Sequence, residues 1–180
     1  STITKILYMK KIMLLIIVFA ISQVSAQKSP CTTNLVYRQF DFWIGNWDAY
    51  ATNGKKAGES KISLILDSCI VLEEWTSTGT QGGLVYSGKS FNTYNAASGQ
   101  WQQTWVDNVG GSTEFLIGKF SGNSMQFLSK EFAFSKDTMA IRKLTFYNLA
   151  ADKVRQLGEI SKDKGSTWAT EYDLEYRRKK

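Results

Sequence analysis

The sequence has no histidine in its 180 residues. Histidine supplies the base of Ser-His-Asp and Cys-His catalysis, the proximal ligand of many haem proteins and a ligand of the usual zinc sites. Its absence excludes these mechanisms, so that acid-base chemistry would fall to Asp, Glu, Lys or Tyr. We predict no cofactor and no metal site.

Long apolar runs are also missing, apart from one near the N-terminus. Residues 12–21 are apolar but too few to span a bilayer, two lysines precede them, and small residues follow. This is the pattern of a secretory signal. The sequence therefore predicts that residues 1–26 are leader and signal peptide, cleaved between Ala26 and Gln27, and that the chain is exported to the periplasm or the extracellular space. We predict no membrane partner after cleavage.

Basic residues exceed acidic ones, with 22 Lys and Arg against 16 Asp and Glu. Three of them, Lys5, Lys10 and Lys11, lie in the predicted leader, and most others are scattered singly before a basic tail at 177–180. A nucleic-acid interface needs a basic stripe along one groove. We therefore predict no nucleic-acid partner, and the composition leaves the oligomeric state open.

Only two cysteines are present, Cys31 and Cys69. In an oxidising compartment such a pair is more often bridged than free. The sequence predicts a disulfide that joins an N-terminal tether, residues 27–39, to the start of a β-strand. A lipid anchor on Cys31 is the alternative, although the preceding Ser29-Pro30 does not resemble a lipobox.

Helical periodicity is nearly absent from Asn46 onward. Short β-branched and aromatic runs recur about every ten to twelve residues, separated by clusters of Gly, Asn, Asp and Ser, which is typical of an all-β meander. The predicted strands are 46–52, 59–66, 70–78, 84–94, 100–107, 112–120, 124–131, 138–148, 153–160 and 167–178. They most simply close into an up-and-down antiparallel barrel, because closure removes exposed sheet edges. A two-sheet sandwich is the alternative for this single domain, residues 40–180.

The first and last strands carry a possible barrel end-seal. Side chains alternate across a strand, so that Trp47 and Arg178 are both expected to point inward. In calycins, the superfamily of lipocalins and fatty-acid-binding proteins, an inward arginine stacks on such a tryptophan and donates to nearby carbonyls. The chain resembles that pattern in Gly45-Asn46-Trp47 and Tyr176-Arg177-Arg178.

Four longer motifs are spread along the chain from residue 40 to residue 168. They are Phe-Asp-Phe-Trp-x-Gly-x-Trp at 40–47, Cys-x-x-Leu-x-Glu-Trp at 69–75, Trp-x-Gln-x-Trp-Val-Asp at 101–107 and Ser-x-Asp-x-Gly-x-Thr-Trp at 161–168. With them the chain resembles a group of exported, uncharacterised, lipocalin-like bacterial proteins near domain-of-unknown-function family 1579. The resemblance implies a calycin-like barrel and no particular activity.

The third, fourth and fifth strands offer the best candidate binding surface, because each combines large aromatic and isolated polar side chains on one face. Glu73 is the expected inward acid, unless a one-residue bulge turns Glu74 inward instead. It should then pair with Arg142, Arg155 or a hydroxyl such as Tyr86, or stay protonated. The predicted ligand-binding residues are Glu73, Trp75, Tyr86, Trp101, Gln103, Trp105, Asp107 and Arg142. The alternative is that the tryptophans only fill the barrel and that Asp107 caps a turn.

These observations predict a binding protein whose barrel holds a small, largely apolar molecule. An enzyme on the same barrel, such as an isomerase, cyclase or hydrolase that uses buried Glu or Asp and Tyr, is the alternative, and fold alone does not separate the two. Its catalytic residues are not assigned by the sequence. A third possibility is a barrel packed solid, with no cavity.

Overall fold

A computed structural model describes residues 28–180, so that the predicted signal peptide and its cleavage site lie outside the described residues. The strands are β1 Gly45–Ala51, β2 Lys56–Ile65, β3 Ile70–Gln81, β4 Leu84–Asn95, β5 Gln100–Asp107, β6 Ser112–Ser121, β7 Ser124–Ser129, β8 Phe132–Ser135, β9 Thr138–Ala150, β10 Lys153–Ser161 and β11 Ala169–Arg178. All except β8 form one antiparallel ring, which β11 closes by pairing with β1. The structure confirms the predicted all-β barrel of ten strands and excludes the sandwich.

The strand β8 is the one described strand that the sequence pattern does not predict. It has four residues, and it pairs with the beginning of β9 outside the ten-strand ring. Three of its residues, Ala133, Phe134 and Ser135, are exposed. A strand this short, with little burial, lacks the alternation on which strand prediction depends.

The segment from Pro30 to Trp43, here called the plug, covers one end of the barrel. It consists of a short helix, α1 Pro30–Thr33, and two 3₁₀ turns, Leu35–Arg38 and Asp41–Trp43. Its side chains enter the barrel: Phe40 and Trp43 are fully buried and stack with ring centroids 5.1 Å apart. The plug therefore completes the apolar core at this end.

A disulfide fastens the plug to the barrel. Cys31 and Cys69 are bonded, with Cα atoms 4.9 Å apart, which confirms the predicted pair. Cys69 lies in the turn between β2 and β3, immediately before β3 begins at Ile70. A bridged pair fits an exported protein, since cytosolic thiols are kept reduced.

Arg178 and Trp47 lie together at the same end of the barrel. They are directly paired across β1 and β11, and the guanidinium carbon is 4.1 Å from the centroid of the indole. Arg178 also donates to the carbonyl oxygens of Ile44, at 2.8 Å, and Ala151, at 2.9 Å. A Cβ atom at Gly45, whose φ is +140°, would lie 2.0 Å from the arginine Nη1. This end-seal therefore needs glycine there.

Candidate functional site

A cavity of about 540 Å³ lies toward the opposite end of the barrel from the plug, a volume typical of small-molecule sites. It reaches solvent beside the loop between β5 and β6, and this opening is here called the mouth. The lining side chains come from strands on every side of the ring; among them are Glu73, Trp75, Tyr86, Gln103, Trp105, Asp107, Phe115, Arg142, Gln156, Tyr172, Leu174 and Tyr176. The barrel is therefore not packed solid.

All but one of the predicted ligand-binding residues line this cavity. The exception is Trp101, which points inward but lies at the plugged end, 1% exposed. Its indole N–H donates to Gln39 of the plug at 3.0 Å, and its ring meets Phe40 edge to face. Strand β5 runs the length of the barrel, so that Trp101 at its beginning contacts the plug, whereas Trp105 reaches the cavity. Alternation along the strand gives the facing of a side chain but not its depth in the barrel.

Three aromatic rings of the cavity each pack over a glycine of the barrel wall. The pairs are Trp75 over Gly58, Trp105 over Gly88 and Tyr172 over Gly158. A Cβ atom at Gly88 would lie 2.3 Å from Cζ2 of Trp105, and one at Gly158 would lie 2.4 Å from Cε1 of Tyr172. No side chain larger than hydrogen fits beneath these rings. The rings can therefore lie back against the wall and leave the centre of the barrel open.

Glu73 lies at the bottom of the cavity and is 2% exposed. The hydroxyls of Ser60 and Ser90 donate to its two carboxyl oxygens at 2.8 and 2.9 Å, and the hydroxyl of Tyr176 lies 3.4 Å from Oε1. Among the ion pairs of residues 28–180, none includes Glu73. The acid is thus buried among hydroxyls rather than beside a cation.

Further buried polar side chains extend outward from Glu73 in both directions. On one side, the Tyr176 hydroxyl donates to Gln156 at 2.7 Å. On the other, the Asn92 amide donates to Ser90 at 3.0 Å and accepts from Gln103 at 2.7 Å. Together with Glu73 and Ser60, these residues form a polar floor between the cavity and the apolar core around the plug. Hydrogen bonding within the floor offsets the cost of burying it.

The environment of Glu73 shifts its ionisation. Burial removes water from the carboxylate and raises the pKa to about 7, although the hydrogen bonds from Ser60, Ser90 and Tyr176 act in the opposite direction. The carboxyl therefore exchanges its proton close to neutral pH, which is the range in which a general acid or base is effective.

Of the partners that the sequence suggested for the buried acid, hydroxyls are present, although they come from Ser60, Ser90 and Tyr176 rather than from Tyr86, and the two arginines are wrong. Arg142 binds Glu171 instead, with Nε 2.9 Å and Nη2 3.1 Å from the two carboxylate oxygens. Arg155 binds Asp173 in the same bidentate way. Arg155 on β10 binds an acid of the neighbouring strand β11, and Arg142 on β9 reaches across β10 to another acid of β11. Neither arginine contacts Glu73.

Asp107 lies at the mouth and caps the loop between β5 and β6. Its Oδ1 accepts from the backbone N–H groups of Val109, at 3.1 Å, and Gly111, at 2.7 Å. Its Oδ2 accepts from the Tyr86 hydroxyl at 3.0 Å, and that hydroxyl accepts from the Trp105 indole at 3.2 Å. Desolvation opposes the effect, but these hydrogen bonds together lower the pKa of Asp107. Asp107 therefore stabilises the turn and also lines the cavity.

Sequence reasoning missed several members of the floor and wall. They are Ser60, Ser90, Asn92, Gln156, Tyr172 and Tyr176. A signal was available for two of them, because Ser90 and Asn92 share the face of β4 that carries Tyr86. Small polar residues alternate with outward residues in many strands, however, and only the structure shows that these converge on one carboxyl group.

Comparison with known proteins adds no assignment. No protein-family model and no curated protein matches the chain. Within residues 28–180, no cluster of three or more His, Cys, Asp or Glu side chains is arranged to hold a metal ion. Over the same range, no helix has the length and apolar character required to cross a bilayer.

Proposed function

We propose that this is an exported protein that binds a small, largely apolar molecule in the barrel cavity. The observation that carries the proposal is the open cavity of about 540 Å³, with three aromatic rings set over glycines and a polar floor beneath. Those glycines indicate that empty space is built into the wall, since any larger residue would push a ring inward. The leader pattern, the disulfide and the motif resemblance to exported lipocalin-like proteins support the same proposal.

The wall and floor have different roles in this proposal. The rings of Trp75, Trp105 and Tyr172 supply apolar contact, and burying roughly 200 Å² of apolar ligand surface would contribute about 5 kcal/mol. The amides of Gln103 and Gln156 lie at the floor, where they can orient one polar group of the ligand.

The first experiment is native mass spectrometry on the full chain purified from its own envelope. We expect an added mass that is lost on denaturation and that extraction identifies as a small organic molecule. Protein that carries no added mass, and that also fails the probe titration below, would contradict the proposal.

The second experiment uses a neutral apolar probe, naphthalen-2-ylmethanol, and follows quenching of tryptophan fluorescence. We expect saturable quenching that is lost when Trp75 and Trp105 are both replaced by Phe. The matched control is Trp101→Phe, because Trp101 lies outside the cavity. Equal quenching in both variants would place the probe elsewhere.

An enzyme that needs no histidine is a second candidate, and one observation favours it. Glu73 combines a pKa of about 7 with a Tyr176 hydroxyl 3.4 Å away, at the bottom of an open cavity. Such a carboxyl could move a proton on carbon in an isomerase or cyclase, or act in a hydrolase. The test is deuterium exchange into small ketones in D₂O, followed by NMR, with Glu73→Gln as the inactive variant. No exchange above the buffer rate would contradict proton transfer on carbon by Glu73, and with it the isomerase and cyclase.

A further inference from the structure

We propose that the cavity selects an organic cation: an amine on an aromatic or apolar body, with its ammonium group against Glu73 and its body between the indole rings of Trp75 and Trp105. This inference rests on the proposed binding function and adds the chemical class of the ligand. Three features of the cavity carry it.

The first feature is the hydrogen bonding of the buried acid. The hydroxyls of Ser60 and Ser90 donate to Glu73, one to each carboxyl oxygen, as suits a carboxylate. Of the residues that the structure describes, no Lys or Arg lies within ion-pair distance of Glu73. A buried carboxylate without a cation is costly, and a cationic ligand would remove that cost.

The second feature is the position of the rings relative to the acid. Glu73 is paired with Ser90, and Ser90 with Trp105, so that the three residues lie at one level across β3, β4 and β5. Trp75 follows Glu73 by two residues on the same face, about 7 Å along the strand.

Both indole rings are displaced from that level toward the mouth. The ring of Trp75 packs over Gly58 and the ring of Trp105 over Gly88, and these glycines are paired with Ser77 and Asp107 at the mouth end of their strands. A group that touches Glu73 from the cavity therefore lies below the two indoles, on the side away from the mouth, and the body of the ligand extends between them. Indole rings attract cations, most strongly where water is excluded.

The third feature is the state of the other charges. Arg142 is bound by Glu171, and Lys143 lies 2.9 Å from Glu159, so both cations at the cavity are already paired. An anionic ligand would find no unpaired cation there and would meet the charge of Glu73. The cavity favours positive charge at its floor.

The ionisable groups around Glu73 do not compete with it near neutral pH. The strands packed against it present Tyr86, Tyr172 and Tyr176, which are uncharged phenols below pH 9. Asp107, Arg142, Lys143 and Glu171 lie toward the mouth, where Arg142 and Lys143 are bound by acids and Asp107 caps a turn. A change in binding between pH 5.5 and 8.0 therefore reports Glu73.

The experiment compares two probes of one shape by isothermal titration calorimetry: naphthalen-2-ylmethylamine, which is charged at both pH values, and neutral naphthalen-2-ylmethanol. At pH 8.0 we expect the amine to bind at least tenfold more tightly. At pH 5.5 its affinity should fall about 10- to 30-fold, since Glu73 is then protonated, while that of the alcohol stays constant. Near pH 6.5, binding of the amine should release a proton, seen as a dependence of the measured heat on the buffer.

Two variants assign the effect to one carboxyl. Glu73→Gln should bring the ratio of amine to alcohol affinity at pH 8.0 close to one. Glu74→Gln is the matched control, because Glu74 points outward to Lys89 at 2.9 Å, and it should keep the ratio. If Glu73→Gln does not fold, the pH dependence and the proton release of the natural protein decide the question.

The outcomes separate this inference from the binding function. If the alcohol binds as tightly as the amine at pH 8.0, the cation inference is wrong and the binding function stands. A preference for the amine that survives Glu73→Gln or shows no pH dependence overturns the role of Glu73. If neither probe binds, the cation inference is wrong; the binding function is wrong as well if native mass spectrometry also shows no added mass.

Discussion

The two ends of the barrel use the same kind of residue in opposite ways. At the plugged end, Phe40, Trp43 and Trp101 are fully buried and contact one another or their neighbours ring to ring. At the mouth end, Trp75 and Trp105 are only partly buried and pack over glycines. Glycine beneath a ring is not by itself the difference, because the fully buried ring of Phe127 also packs over a glycine, Gly118. The difference is that side chains of the plug fill the centre of the barrel at one end, whereas at the other end the rings face the cavity.

The largest effect is expected from breaking the plugged end. Phe40→Ala should lower the free energy of unfolding by about 3–5 kcal/mol, because it removes a fully buried ring that contacts Trp43, Trp101, Phe127 and Phe146. Urea unfolding followed by circular dichroism measures the change. Phe134→Ala, in the exposed strand β8, is the control and should cost less than about 1 kcal/mol. Similar losses in both variants would contradict the description of the plug as core.

The next effect concerns the bond that fastens the plug. Replacing Cys31 and Cys69 together by Ser should lower the free energy of unfolding by about 3–4 kcal/mol, since the bridge closes a loop with a sequence separation of 38. The measurement is urea unfolding of both proteins without reductant. Addition of reductant should lower the stability of the natural protein toward that of the variant and leave the variant unchanged. An unchanged midpoint would show that the plug holds without the bond.

The pH dependence of stability tests the ionisation of Glu73 in the polar floor. Glu73 has a pKa of about 7 in the folded protein and 4.5 as its ordinary value, so that between these pH values the folded state binds more protons than the unfolded state. Stability should therefore fall as pH rises through this range, by about 3 kcal/mol from this group, and level off above pH 7. Glu73→Gln should lack this component, whereas Glu74→Gln keeps it. Parallel stability curves for Glu73→Gln and the natural protein would contradict the raised pKa.

The smallest effect on stability is expected at the cavity wall. Gly88→Ala places a methyl group where the ring of Trp105 now lies, which should destabilise the fold by about 1–3 kcal/mol and push the ring into the cavity. Quenching of tryptophan fluorescence by naphthalen-2-ylmethanol should weaken even under conditions in which the variant remains folded. Gly79→Ala, where no atom lies within 4 Å of the added Cβ, is the matched control. Unaltered probe binding in Gly88→Ala would show that the glycine does not keep the cavity open.

The barrel and its strand facing could be predicted from sequence, and the physical reason is alternation. A period of two fixes which side of a strand faces in, so that Glu73, Trp75, Gln103 and Trp105 are correctly expected inside. The disulfide followed from the presence of two cysteines in a chain whose N-terminus predicts export. The ten strands followed from regularly spaced turns.

The depth and partners of these residues could not be predicted. Trp101 and Trp105 share a face of β5, and only the position of the plug separates them into core and cavity wall. The partners of Glu73 come from β2, β4 and β11, and which residues meet across a barrel depends on strand stagger that local sequence does not determine. The glycines at positions 58, 88 and 158 have no side chain, so that the alternation of apolar and polar residues does not show their place beneath the rings.

The plug has a consequence for the rates of exchange. If the cavity binds a ligand as proposed, an incoming molecule and the water it displaces must pass each other at the mouth, because within residues 28–180 the plug covers the other end of the barrel. Entry is then slower than free diffusion would allow, and two molecules must use the floor in turn rather than together. A molecule that leaves does so by the path on which it entered, with the end that entered first emerging last.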